Sequence, residues 1–100
     1  MTGTIEQIKS NLPPERYYPA HLPGSLGKPT GKCWHRWNGL CPFHGDRRPG
    51  SFFINRASGA FRCFSCGASG GDIIAFHRKA NRLGFKEALA QLKEIARCAR

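Results

Sequence analysis

Cys41-Pro-Phe-His44 and Cys63-Phe-Ser-Cys66 decide how this chain is read. In each pair two residues separate the members, a spacing at which a tight turn aims both side chains at one point. Zinc takes four such ligands in a tetrahedron, with sulfur at about 2.3 Å and imidazole nitrogen at about 2.0 Å. Thiolates favour zinc over hard cations. The residues between the pairs, 45–62, are enough for a hairpin joining two knuckles. Four protein ligands leave no position for a reacting water. The expectation is one structural zinc held by Cys41, His44, Cys63 and Cys66. An iron–sulfur cluster suits three cysteines and a histidine less well. A zinc deaminase is excluded, because no His-x-Glu precedes the cysteine pair. Structural zinc supplies an apparent ~10–16 kcal/mol to small domains, comparable to the whole ~5–15 kcal/mol stability of an ordinary one. The ribbon is therefore expected to unfold without metal.

Cys33 and His35 lie just upstream and compete as a substitute ligand or a second site, but one intervening residue is a poor spacing for the same knuckle. Cys98 and His77 are expected to pack, and His21 carries no signal. The five cysteines are an odd number and cannot all pair with one another. Residues 1–10 carry Glu6 and Lys9 with no apolar run, unlike a secretory signal, and no stretch approaches a membrane span. The expected setting is a reducing cytoplasm, where clustered cysteines bind metal rather than form disulfides.

Outward from the ligands, Ser51-Phe-Phe-Ile-Asn55 is rich in strand formers, Ser58-Gly59 marks a turn and Ala60–Cys63 reads as the return strand. Arg36–Leu40 leads into Cys41. After Gly70-Gly71, Asp72 is placed to cap a helix that ends near Gly84. A second helix runs from about Phe85 to Arg97, with Phe85, Ala88, Leu89, Leu92, Ile95 and Ala96 as its apolar stripe. Ile5–Leu12 reads as a short helix with Thr4 as cap, stopped by Pro13 and Pro14. Pro13 to Lys32 reads as an irregular, proline-rich arm whose Tyr17, Tyr18 and His21 pack against the ribbon. The expected fold is α+β: a small zinc ribbon with an antiparallel hairpin or sheet, followed by two packed C-terminal helices. Its parts are 1–32 (helix and arm), 33–71 (ribbon) and 72–100 (helices), in one domain overall.

The formal charge of +10 suits a polyanionic partner. From Lys28 to Arg62 there are seven basic residues and one acid, Asp46. A merely solvated basic face is the competing explanation. Aromatic residues interleave with the cations, as in single-strand binders that stack bases on rings and neutralise phosphates. Lys32, Trp34, Arg36 and Trp37 precede the first knuckle; Arg47, Arg48, Phe53, Arg56 and Arg62 follow it. Strand alternation puts Phe52, Ile54 and Arg56 on one side and Phe53 on the other. Core packing is the competing role for both tryptophans. Gly24–Lys32 does not fit a phosphate-binding loop, since Cys33 follows the lysine. Gly67–Gly71 reads as a structural turn, because Asp72 would repel an anion.

These residues resemble the Cys-His-Cys-Cys zinc finger at the N-terminus of DnaG-type bacterial and phage primases. The match comprises Gly39-Leu40-Cys41-Pro42-Phe43-His44, Pro49, Ser51-Phe52, Ile54, Phe61, Cys63-Phe64, Cys66-Gly67, Gly71-Asp72 and Phe76, and continues loosely through Phe85–Ala88. Gly50 departs from it by separating Pro49 from Ser51, and the glycine turn before Asp72 is one residue longer. The resemblance implies recognition of single-stranded template DNA during primer initiation, with Arg47, Arg48 and Pro49 on the DNA-contacting edge. It also implies a primase catalytic subunit or a helicase as protein partner. Nucleotidyl transfer needs clustered metal-binding carboxylates, whereas the six acidic residues here are scattered singly. The expectation is a non-catalytic DNA-binding module. The alternative is a regulatory or protein-interaction zinc ribbon of a plasmid, phage or integrated element.

Overall fold

The computed structural model describes residues 2–45 and 47–98. Its elements are α1 (Thr2–Asn11), α2 (Pro14–His21), β1 (Leu26–Gly31), β2 (Trp34–Trp37), β3 (Phe52–Asn55), β4 (Phe61–Cys63), β5 (Ser69–Gly70), α3 (Ile73–Asn81) and α4 (Phe85–Cys98). The strands form an antiparallel sheet in the order β1-β2-β3-β4-β5. The α+β architecture is the expected one, with a wider sheet than the hairpin alone.

The hairpin β3–β4 forms because its aromatic and β-branched residues suit a half-buried pleat. Phe52 and Ile54 are fully buried, opposite Cys63 and Phe61. The connecting turn is an Asx turn: Asn55 Oδ1 accepts from the amides of Ala57 and Ser58 at 2.9 and 3.0 Å. Gly59 then takes φ +83°, the left-handed region that glycine enters freely. On the inner face of the sheet, Phe76 from α3 meets Phe61 and Tyr18 edge-on, at centroid distances of 5.3 and 4.9 Å. Ile8, Leu12, Leu92 and Ala96 extend the same core to α1 and α4.

Residues 13–32 correct the expectation of an irregular arm: they form α2 and β1. Pro14 opens α2, where a missing amide hydrogen costs nothing. Pro19 sits inside the helix, and tertiary burial of Tyr17 and Tyr18 outweighs its penalty. The Tyr18 hydroxyl donates to the Gly59 carbonyl at 2.6 Å. The Tyr17 hydroxyl lies 2.7 Å from His77 Nδ1, and His77 Nε2 lies 2.8 Å from Gln91 Oε1. Since Gln91 Oε1 accepts, Nε2 carries the imidazole proton and Nδ1 accepts from Tyr17. Burial holds both phenols well above their ordinary range, which keeps them as donors. The tyrosines thus tie α2 to the hairpin turn and to α3, as packing residues. β1 is an edge strand with irregular register, the place where a sheet tolerates Pro29.

Asp72 caps α3 by accepting from the Ala75 amide at 2.9 Å, and its other oxygen lies 3.1 Å from Lys9 Nζ on α1. Ala88, Leu92 and Ala96 of α4 are buried, with Leu89 and Ile95 packed beside them. Phe85 leaves the expected stripe and is 45% exposed. Thr4 lies within α1 rather than at its cap, and its side chain and that of Cys98 fall outside the described residues.

Candidate metal centre and nucleic-acid face

The two knuckles converge. One ligand atom from each of Cys41, His44, Cys63 and Cys66 lies within 4.8 Å of the others. The spacing fits the ion. Tetrahedral zinc at ordinary bond lengths separates its ligand atoms by roughly 3.6–3.8 Å, and Cys41 Sγ–Cys66 Sγ and Cys63 Sγ–His44 Nδ1 are both 3.9 Å. The donor set of three thiols and an imidazole is zinc chemistry, and it supplies all four positions. The chain therefore holds one structural zinc. Cys33 and His35 stay out of the cluster: His35 Nδ1 lies 3.0 Å from the Gly27 carbonyl, and Arg56 Nε donates to His35 Nε2 at 3.1 Å.

Each knuckle also supplies donors to sulfur. The Phe43 amide points at Cys41 Sγ at 3.4 Å, and the Cys66 amide at Cys63 Sγ at 3.5 Å. Ser51 Oγ lies 3.6 Å from Cys63 Sγ, where its hydroxyl can donate to a thiolate. Before metal binds, burial pushes the Cys41 thiol up, reinforced by the neighbouring cysteines. Burial also opposes ionisation of Cys63, but the amides of Cys66 and Ser65 and the Ser51 hydroxyl outweigh it and bring that thiol down to about 7. Gly67, at φ +81°, lets the chain reverse directly after Cys66. Cys41 and Cys63 are buried with Phe52 and Phe61, so the metal centre closes one end of the hydrophobic core.

The opposite face of the sheet carries a different population. Arg36, Phe53 and Arg62 stand opposite one another across β2, β3 and β4. Opposed residues of antiparallel strands project to the same side, so the three form one row. Trp34 pairs with Asn55 on the same side. Phe64, 65% exposed, meets Phe53 edge-on at 5.1 Å. The Arg62 guanidinium lies 4.8 Å from the Phe64 ring centre, and that of Arg36 lies 6.0 Å from the Phe53 ring centre. Trp34, Phe53, Arg62 and Phe64, with Thr30 and Gly31, line a concavity of about 460 Å³.

This arrangement sorts the residues nominated from sequence. Trp34, Arg36, Phe53 and Arg62 come together. Trp37 is corrected: it is fully buried, and its Nε1 donates to the Pro23 carbonyl at 3.1 Å, so it belongs to the core. Alternation along β2 explains this, since Trp34 and Arg36 face out while His35 and Trp37 face in. Arg56 is exposed but turned to His35, away from the row. Lys32 is exposed in the turn between β1 and β2; Arg47, Arg48 and Pro49 are exposed beyond the first knuckle. Phe64 was missed. It sits between two ligands, where the sequence reads as a spacer, yet alternation from Arg62 through buried Cys63 predicts an outward ring.

Comparison with known proteins agrees with the metal centre. The family profile described as CHC2 zinc finger matches residues 29–99. A DNA primase of Lactococcus lactis is 45% identical over 67 residues, covering 67% of this chain and 10% of the relative. A DNA primase of Borreliella burgdorferi is 43% identical over 58 residues, covering 58% and 11%, and one of Deinococcus radiodurans is 41% identical over 68 residues, covering 68% and 11%. The chain thus spans about a tenth of the length of these curated relatives. Among the described residues no helix is long and apolar enough to cross a membrane. With its profile match running from residue 29 to residue 99 and its four ligands gathered at one point, the chain belongs to the CHC2 zinc-finger family of DnaG-type zinc ribbons.

Proposed function

We propose that this chain is a non-catalytic module that binds single-stranded template DNA on the outer face of its sheet during primer initiation. The observation that supports this most is the Arg36–Phe53–Arg62 row, flanked by Trp34 and Phe64. An exposed aromatic platform takes unstacked bases at about 1–3 kcal/mol each, while neighbouring guanidiniums neutralise phosphates. Duplex bases are already stacked and have no free face to offer. Exposed Lys32, Arg47 and Arg48 add further cations for phosphate, with Pro49 beside them, while Arg56 stays engaged with His35. The zinc acts at a distance, by fixing β4 and the Phe64 knuckle against the core. Four protein ligands leave the zinc no open position, so its role is structural, and in this reading nucleotidyl transfer falls to a primase catalytic domain working beside the module in a bacterial cytoplasm.

The test is fluorescence anisotropy with single-stranded and duplex oligonucleotides across a salt series, on zinc-loaded protein. Tighter binding to single strands, weakening steeply with salt and lost in Phe53→Ala/Arg62→Gln, supports the proposal. A folded, zinc-loaded sample that binds neither form at low salt refutes it and favours a protein-interaction ribbon.

A further inference from the structure

The outer sheet face does not account for a second concentration of charge. Between residues 78 and 87, at the corner joining α3 to α4, stand Arg78, Lys79, Arg82 and Lys86 against one acid, Glu87. All four cations are exposed. The Glu87 carboxylate accepts from the Gly84 amide at 2.9 Å, engaged in holding the corner. Arg78 and Lys79, with Ala75 and Leu83, line a cleft of about 250 Å³.

Helix-end electrostatics explains only part of this. Arg78 and Lys79 lie in the last turn of α3, where the dipole favours cations. Lys86 lies in the first turn of α4, where the dipole disfavours them. Arg82 caps α3 at φ +55°, in the left-handed conformation that glycine adopts freely and a long side chain adopts at a cost. Two of the four charges thus sit where the fold would prefer another residue, as expected of residues kept for a ligand. Two aromatic rings border the patch. The Arg78 guanidinium is 5.9 Å from the ring centre of half-exposed Phe85, and Lys79 Nζ is 5.7 Å from that of Phe43. Phe43 lies inside the first knuckle, between Cys41 and His44, on the chain that leads directly to Arg47 and Arg48. Lys79 thus brings the helical corner against the first knuckle.

We propose that the α3–α4 corner is a second phosphate-binding surface, which holds the backbone of the same nucleic-acid strand where it leaves the sheet face. Its chemistry is charge without a base platform of the kind built by Trp34, Phe53 and Phe64, so it contributes affinity and strand length rather than base choice. The proposal rests on the reading that the sheet face binds single strands.

The test compares oligothymidylates of about 6 and about 20 nucleotides across a salt series, using the full chain and the variant Lys79→Gln/Arg82→Gly/Lys86→Gln. Glycine at position 82 relieves the left-handed arginine, so loss of binding cannot be ascribed to unfolding; an unchanged or raised thermal midpoint confirms this in the same sample. The expected variant binds the short strand like the unmodified chain and the long strand several-fold more weakly. Its salt slope for the long strand is shallower by roughly 0.7 for each lost phosphate contact. Equal affinity and slope for both lengths in variant and unmodified chain overturn the corner proposal and leave the sheet-face reading standing. An unmodified chain that binds neither strand refutes both. Unchanged DNA binding with reduced binding of poly-glutamate makes the corner a docking point for an acidic protein, and also overturns the proposal.

Discussion

Removing the zinc should unfold the ribbon, and the structure indicates how far. Cys63 is fully buried between Phe52 and Phe61, and Cys41 belongs to the same core cluster. Without metal, three thiols and an imidazole converge within 4.8 Å with no ion to hold them together, two of the thiols, Cys41 and Cys63, being buried. An apparent ~10–16 kcal/mol from structural zinc is set against a total of about 5–15 kcal/mol for a domain of this size. The metal-free chain should therefore have no cooperative thermal transition of its own. Trp37, fully buried at the inner end of β2, is the natural reporter. Chelation is expected to release one zinc per chain and to red-shift the tryptophan emission as Trp37 meets water. Near-ultraviolet circular dichroism should collapse at the same chelator concentration, and Cys63→Ser should reproduce the effect without chelator. A chelated chain that keeps its near-ultraviolet spectrum and melts within a few degrees of the zinc-loaded protein would refute the coupling of metal to fold.

Other consequences are smaller in scale. Tyr17→Phe removes the donor that satisfies buried His77 Nδ1, costing about 1–3 kcal/mol; at about 4–8 °C per kcal/mol the thermal midpoint should drop visibly, and no shift would show that the 2.7 Å contact is not formed in solution. Gly59→Ala adds a Cβ 3.1 Å from the Ile73 amide nitrogen at a residue with φ +83°, so a loss of about 1–3 kcal/mol should appear in denaturant unfolding; a neutral substitution would contradict the turn geometry. Zinc competes with protons for its thiolates, and burial holds the Cys41 thiol up, so metal binding must displace that proton. Zinc affinity should therefore fall as pH falls, read with a colorimetric zinc indicator between about pH 8 and pH 5; pH-independent affinity would exclude thiolate ligation.

Much of this was legible in sequence because local chemistry and tertiary packing agree there. The ligand spacing, the Phe-Phe-Ile strand, the Asp72 cap and the stripe of Ala88, Leu92 and Ala96 each have a short-range cause. The segment 13–32 was opaque for the opposite reason. Its prolines and glycines argue against regular structure, and α2 exists because Tyr17 and Tyr18 bury themselves against Phe76, Gly59 and His77, contacts 41 to 60 residues away in sequence. β1 likewise depends on β2 for its existence. At the candidate DNA face, Phe53 followed from alternation and Arg62 from the interleaving of cations with aromatics, whereas Trp37 was misassigned because no strand boundary for β2 was available to fix its parity. Phe64 was hidden by its place between two ligands.

The claim that the outer sheet face receives single-stranded DNA is tested most directly by an amide chemical-shift titration of the zinc-loaded, isotope-labelled chain with a short oligothymidylate. Shifts should concentrate at Trp34, Arg36, Phe53, Arg62 and Phe64, with the Trp34 indole resonance moving and the buried Trp37 indole still. Shifts confined to α1 and α2, or no shifts at a strand concentration that saturates anisotropy, would contradict it.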